Sequence, residues 1–174
     1  MKYEVVVLNS KGGAGKDTFF GFCEAILGDC TAHISTVDLV KEVAESIGWD
    51  GTKTLENRRR LSMLKDIMTA WGDGPFKDVC SMVDQIKYEW LNGGEEFGII
   101  FIDCREPYEI ERLVEKLGAK TLLITRDNLP TTYGNHADDG VFDYTYDYMV
   151  ENNGSLTELR DSARAIIDAI RAEE

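Results

Sequence analysis

SKGGAGKDTFF, residues 10–20, is the stretch on which the reading of this chain turns. A mostly β-branched apolar run precedes it (YEVVVL, residues 3–8), and a helical pattern follows over 17–27 (DTFFGFCEAIL). A glycine-rich turn between a buried strand and a helix is the setting in which backbone amides cradle an anion. Glycines let the main chain approach that anion with no side chain in the way. Gly12, Gly13 and Gly15 supply such a backbone, with Ala14 among them, and Lys16 supplies a charge for outer phosphates. Against the pattern G-x-x-x-x-G-K-[ST], Ser10 replaces the first glycine and Asp17 replaces the hydroxyl residue. Ser10 is small enough to fit. Asp17 would repel a polyphosphate unless a cation lay between them, so Asp17 and Thr18 are candidate ligands for Mg²⁺, which prefers hard oxygen donors. Which of the two touches the metal stays open at this level. The competing reading, a structural turn with Asp17 as an N-terminal helix carboxylate, sits poorly with three glycines and a lysine at this spacing.

Working outward, further strands are expected at 31–37 (TAHISTV), 98–103 (GIIFID), 120–125 (KTLLIT) and 147–150 (DYMV). Helices are expected over about 38–48, 54–71, 75–91 and 107–117, and after Ser155, which with Glu158 forms a capping-box pattern. Asp73-Gly74-Pro75, Gly93-Gly94 and Gly118 are the expected breaks. The helix over 54–71 is expected to turn Leu55, Leu61, Leu64, Ile67, Met68 and Trp71 to one apolar face. Strands alternating with helices imply an α/β fold with a doubly wound, parallel, five-stranded sheet. The segment 126–146 has no clear periodicity and many polar groups, and a loop that long is more often functional than idle.

Bulk properties narrow the function. A chain of 174 residues suits a single domain, 1–174. Its 43% hydrophobic and 29% charged residues are ordinary for a folded protein. A net charge of -13 argues against a nucleic-acid partner, which calls for a basic footprint, but leaves room for a locally basic pocket. Four cysteines (Cys23, Cys30, Cys80, Cys104) form no C-x-x-C pair, so no redox or metal signature is present. No signal-peptide pattern and no membrane-length apolar run is seen, which with free thiols leads to a cytoplasmic expectation and no membrane partner.

Two families resemble the glycine turn. KGGAGK (residues 11–16) resembles the K-G-G-x-G-K-[ST] loop of partition and division-site ATPases, in which a lysine at the place of Lys11 completes a nucleotide sandwich across a dimer. That family calls for Ser or Thr at 17, and for an acidic switch with prolines and glycine where this chain has Asp103-Cys104-Arg105-Glu106-Pro107. GKDT (residues 15–18) resembles the loop of phage-type deoxynucleoside monophosphate kinases and animal phosphomevalonate kinases. The likeness continues in order along the chain. It takes in Lys41 early in a helix, Arg58-Arg59-Arg60 leading to Trp71-Gly72, Asp103-Cys104-Arg105 and Arg126. It then reaches His136-Ala137-Asp138-Asp139-Gly140 and Asn152-Asn153-Gly154-Ser155. The region 73–94 is short beside the phage enzymes, which leaves the acceptor open.

The kinase resemblance implies a P-loop NTPase fold of the nucleoside-monophosphate-kinase type, with ATP and Mg²⁺ as cofactors. It implies an acceptor-binding helical region over about 38–94 and a lid-like loop over about 126–146. The activity implied is phosphoryl transfer to a small phosphate-bearing acceptor, most simply a (deoxy)nucleoside monophosphate. Lys11 and residues 12–18 would bind the nucleotide phosphates, and Asn153 and Gly154 would lie near the adenine. Lys16, Arg105 and Arg126 would act on the transferring phosphoryl group. Lys41, Arg59, Arg60 and Arg105 would hold the acceptor, because an arginine fork matches phosphate oxygens. At least one of residues 58–60 is expected on a solvated face. His136 and Asp139 would close the lid. Asp103 is a candidate for an outer-sphere Mg²⁺ group, for positioning Arg105, or for a plain helix cap. A monomer or homodimer is expected. The alternatives are a regulatory ATPase that dimerises on ATP and a nucleotide-binding protein without catalysis.

Overall fold

The computed structural model describes residues 2–93, 97–129 and 140–173. The elements run β1 (Lys2–Ser10), α1 (Lys16–Leu27), β2 (Thr31–Ser35), α2 (Asp38–Ser46), α3 (Leu55–Gly72), α4 (Gly74–Gly93) and β3 (Phe97–Asp103). They continue with α5 (Pro107–Leu117), β4 (Lys120–Thr125), β5 (Tyr148–Glu151) and α6 (Leu156–Ala172). A 3-10 turn, Gly28–Cys30, carries the chain from α1 into β2. The five strands form one sheet in the order β2-β3-β1-β4-β5, and every pairing is parallel. The doubly wound α/β architecture expected from the alternation is therefore the one present.

Side chains alternate across a strand, so each strand of this sheet serves two cores. Val6, Leu8, Ile99 and Phe101 point to the side covered by α1 and α6, where they meet Phe19, Cys23, Leu159 and Ile167. Val5, Val7, Ile100 and Ile102 point to the other side, against Val79 and Val83 of α4 and Ile110 and Leu113 of α5. Burial on both faces is why the centres of β1 (VVVL, 5–8) and β3 (IIFI, 99–102) read as unbroken apolar runs. Helix ends follow local chemistry. Pro107 sits in the first turn of α5, and Gly118 closes that helix in the left-handed conformation (φ 64). Ser155 and Glu158 form the expected capping box: the Ser155 amide donates to Glu158 Oε2 at 2.7 Å, and the Glu158 amide donates to Ser155 Oγ at 3.3 Å.

Some expectations shift. β2 ends at Ser35 rather than at 37, and β5 lies one residue later than 147–150. The larger change concerns α3. Of the apolar set expected in its core face, Leu61, Leu64 and Met68 are half-buried, while Leu55, Ile67 and Trp71 are exposed, Trp71 at 87%. The buried residue of α3 is Lys65. The reason is that α3 packs against α2 and α4 rather than on the sheet, so it has no wide apolar surface to cover. Its turn into α4 is pinned instead by charge. Asp73 takes a left-handed conformation (φ 58), and the Arg112 guanidinium grips its carboxylate with both arms, Nη1 donating to Oδ1 at 3.0 Å and Nη2 to Oδ2. Arg112 also lies 3.8 Å over the Phe76 ring, and its hydrogen bond holds the Asp73 carboxyl below its ordinary pKa. Among the described residues no helix is long and apolar enough to cross a membrane.

Candidate active site

In a parallel sheet all strand C-termini meet at one edge. The connection after β1 returns to the far side of β3, while the connection after β3 crosses to the far side of β1. The two loops diverge, and the crevice they leave is where ligands gather in open α/β sheets. The glycine turn lies in that crevice, on the wall of a cleft of about 850 Å³, a size suited to small-molecule ligands.

The turn is shaped by its glycines. Gly13 and Gly15 have φ of 82° and 96°, a region that L side chains rarely adopt. Gly15 is the N-cap of α1 and offers no side chain to satisfy the helix. The amides of the first turn are thus left without a side-chain cap where Lys16, Asp17 and Thr18 line the cleft. The loop is held from behind. Asn152 Nδ2 donates to the Ala14 carbonyl at 2.8 Å, and a β-carbon on Gly15 would fall 2.3 Å from that same nitrogen. Asn9 Nδ2 donates to the Arg105 carbonyl at 3.2 Å and to the Tyr146 hydroxyl at 2.6 Å. Tyr146 in turn donates to the Val141 carbonyl at 2.8 Å, and burial pushes its phenol up to about 12, which keeps the proton on it. Residues 141 and 146, ahead of β5, are therefore tied to the end of β1. Lys11 reaches in the same direction, 4.8 Å over the Phe142 ring.

Lys16 is engaged by two carboxylates. Its ammonium pairs with Asp103 Oδ2 at the end of β3 and lies 3.1 Å from Asp17 Oδ1. His33 of β2 approaches the other Asp103 oxygen, with Nε2 2.9 Å from Oδ1, at ion-pair distance but off hydrogen-bond alignment. The imidazole is stacked on Phe20 of α1, with ring centroids 4.3 Å apart. Burial pushes the Asp103 carboxyl up, but His33 and Lys16 together outweigh it and hold the group below its ordinary pKa. Asp103 therefore stays ionised near neutrality. Its contacts answer one of the open questions: it faces Lys16 and His33 and is not a simple helix cap.

The cleft reverses the charge of the chain. Lys11 and Lys16 line it from the loop, Lys41 from α2, Lys53, Arg58 and Lys65 from α3 and its approach, and Arg105 and Arg126 from the ends of β3 and β4. The carboxylates on it are Asp17, Asp38, Asp103 and Glu106. A site richer in cations than in anions, within a chain of net charge -13, points to anionic ligands. Lys41 Nζ is braced by Asp38 Oδ1 at 2.7 Å, and Asp38 Oδ2 accepts from the Ser35 amide at 2.8 Å. Arg58 Nε donates to the Lys53 carbonyl at 3.4 Å.

The structure brings together Lys11, Gly12, Gly13, Ala14, Gly15, Lys16, Asp17, Thr18, Lys41, Arg105 and Arg126, all of which line this cleft. It does not bring in Arg59 or Arg60. Arg59 is exposed, and Arg60 pairs with Glu56 in solvent at the edge of a separate pocket of about 380 Å³ between α2 and α3. The arginine of α3 that lines the cleft is Arg58, because it shares a helix face with Leu61, Ser62 and Lys65. Asn153 and Gly154 do not line the cleft. The Asn153 side-chain oxygen accepts from the Asp127 amide at 2.8 Å, next to Arg126, and Gly154 packs against Glu158 in the capping box. His136 and Asp139 lie outside the described residues, as do residues 130–139 as a whole. Sequence reasoning missed Asn152, His33 and Lys65 as site residues. Asn152 lies in the stretch Asn152-Asn153-Gly154-Ser155, where nothing local sets it apart from Asn153, and nothing local distinguishes His33 or Lys65.

No protein-family model matches the chain, and no curated protein sequence matches it. Among solved structures, a thymidylate kinase from Ehrlichia chaffeensis is similar with a TM-score of 0.52 at 10% sequence identity, over 96% of this chain and 100% of that one. A likeness at that identity is one of fold. The chain shares the fold of that kinase, a parallel five-stranded sheet with helices on both sides.

Proposed function

We propose that this protein transfers the γ-phosphoryl group of ATP to the phosphate of a small acceptor, a (deoxy)nucleoside monophosphate. The observation that carries this reading is the single cleft with an uncapped, glycine-built anion cradle on one wall and the cations Lys41, Arg58 and Arg105 on the rest of its lining. Phosphoryl transfer needs two phosphate-bearing molecules held in line, and little else from the protein than positioning and charge.

The donor site fits the nucleotide and its metal by its own chemistry. The first-turn amides and Lys16 suit the outer phosphates. Asp17, exposed at the cleft, and Thr18 beside it are hard oxygen donors, and Asp103 stands behind them. Bound Mg²⁺ would neutralise charge on the nucleotide phosphates. Lys16 must leave Asp103 to reach those phosphates, and His33 then remains beside the Asp103 carboxylate. Arg58 and Arg105 orient the acceptor phosphate, with Lys41 steadied by Asp38. Arg126 is exposed at the cleft and can add charge to the transferring group as the acceptor seats.

The test is ADP release from ATP-Mg²⁺ with a panel of nucleoside and deoxynucleoside monophosphates and phosphomevalonate. At least one monophosphate should raise turnover far above acceptor-free hydrolysis, and Lys16→Ala should abolish it. A panel in which no acceptor raises turnover refutes the kinase reading, and unchanged activity in Lys16→Ala refutes the loop assignment.

A further inference from the structure

Lys65 is the residue of α3 that the amphipathic pattern does not explain. Its side chain is 9% exposed, in a helix whose other positions are half-buried or exposed. Its ammonium pairs with Glu109 Oε2 and lies 3.8 Å from Glu106 Oε1. Glu109 is itself buried, with its side chain 10% exposed in the first turn of α5, where the helix dipole favours a carboxylate. Cys104 Sγ lies 3.6 Å from the same Glu109 oxygen. Removing an ion pair from water is costly, and an apolar pair of similar volume would serve equally well as a strut between two helices. Yet Lys65 also lines the cleft, on the same helix face as Arg58 and on the same cleft as Arg105.

We propose that Lys65, held in place by Glu109, is a ligand for the acceptor phosphate and completes a subsite with Arg58 and Arg105. This rests on the kinase reading above. A lysine is a compact charge with three donors, so the Glu109 contact leaves donors for a phosphate oxygen. Glu109 acts through Lys65 and is a positioning residue. Its carboxylate fixes where the ammonium stands while partly balancing a subsite that would otherwise gather three cations with no ligand present.

Lys65→Met alone would strand the buried Glu109 carboxylate and could unfold the chain, so the decisive variant is Lys65→Met with Glu109→Gln. Lys65→Arg serves as the conservative variant. Each is compared with wild type by thermal melting, by KM for ATP, and by KM and calorimetric binding of the panel monophosphates and phosphomevalonate. The double variant should melt cooperatively and keep its KM for ATP within about twofold. Its acceptor KM and dissociation constant should rise about tenfold or more, in line with a lost charge-assisted hydrogen bond, and Lys65→Arg should recover much of that loss. A folded double variant with unchanged acceptor affinity makes Lys65 a strut and overturns the proposal, leaving the kinase reading intact. Acceptor binding that depends on Lys65, without turnover in the wild type, upholds the subsite and overturns the kinase reading. A wild type that neither binds nor turns over any panel member overturns both.

Discussion

Substituting Gly15 by alanine tests how the glycine turn is held. Two costs can be separated. The first is backbone: Gly15 has φ 96, and an L residue in the left-handed region costs about 1–2 kcal/mol. The second is contact: the new β-carbon would fall 2.3 Å from Asn152 Nδ2, so that amide must swing away and abandon the Ala14 carbonyl it reaches at 2.8 Å. Losing that hydrogen bond costs about 1 kcal/mol, and more where the carbonyl is left dry. The total of about 2–4 kcal/mol corresponds to a fall in Tm of roughly 5–15 °C for a chain of this size. Gly118→Ala is the control, since Gly118 is also left-handed (φ 64) but nothing lies within 4 Å of its added carbon. It should cost the backbone component alone. The assay is a double-mutant cycle by denaturant unfolding of wild type, Gly15→Ala, Asn152→Ala and the double variant. With Asn152 already truncated the contact cost disappears, so the two substitutions should fall short of additivity by about 1 kcal/mol or more. Additivity within about 0.5 kcal/mol would show that Asn152 does not buttress the loop.

Asp103 and the arginine triplet yield two further outcomes. The Asp103 carboxyl is held below its ordinary pKa of 3.8, so the unfolded chain binds more protons there and stability falls as pH drops. Asp103→Asn should therefore cost about 1.5–3 kcal/mol at neutral pH, with the gap from wild type present above pH 3.8 and closing as pH falls through the folded-state pKa; a gap that does not change with pH in urea unfolding would refute the ion-pair account. Arg58→Ala should raise the acceptor KM by about tenfold, while Arg59→Ala leaves it within about twofold, because only Arg58 of the two lines the cleft. Equal effects would contradict the orientation of α3.

The glycine turn between strand and helix, the five strands and the fold were legible in the sequence because their signals are local. VVVL (5–8), IIFI (99–102) and LLI (122–124) are apolar runs since both sides of each strand are covered, and Gly13 and Gly15 stand where the backbone turns with positive φ. Lys16, Arg105 and Lys41 share the cleft because they follow strand ends or open a helix, and in a parallel sheet those points converge. The failures share one cause. Three consecutive arginines point in directions about 100° apart on a helix, and choosing among them requires knowing which face is turned inward. For most helices an apolar stripe supplies that knowledge. In α3 it misleads, because the helix packs mainly on α2 and α4 rather than on the sheet. Its rotation is set by Lys65 on Glu109 and by the Asp73 turn clasped by Arg112, partners 44 and 39 residues apart. The same holds for His33 against Asp103 and for Asn152 behind Ala14, contacts between strand ends and loops far apart in the chain. Periodicity within the sequence determined which segments fold and in what order they alternate. Which charged side chains share the cleft was decided only by the tertiary structure, since ion pairs between distant segments leave no periodic mark in the sequence.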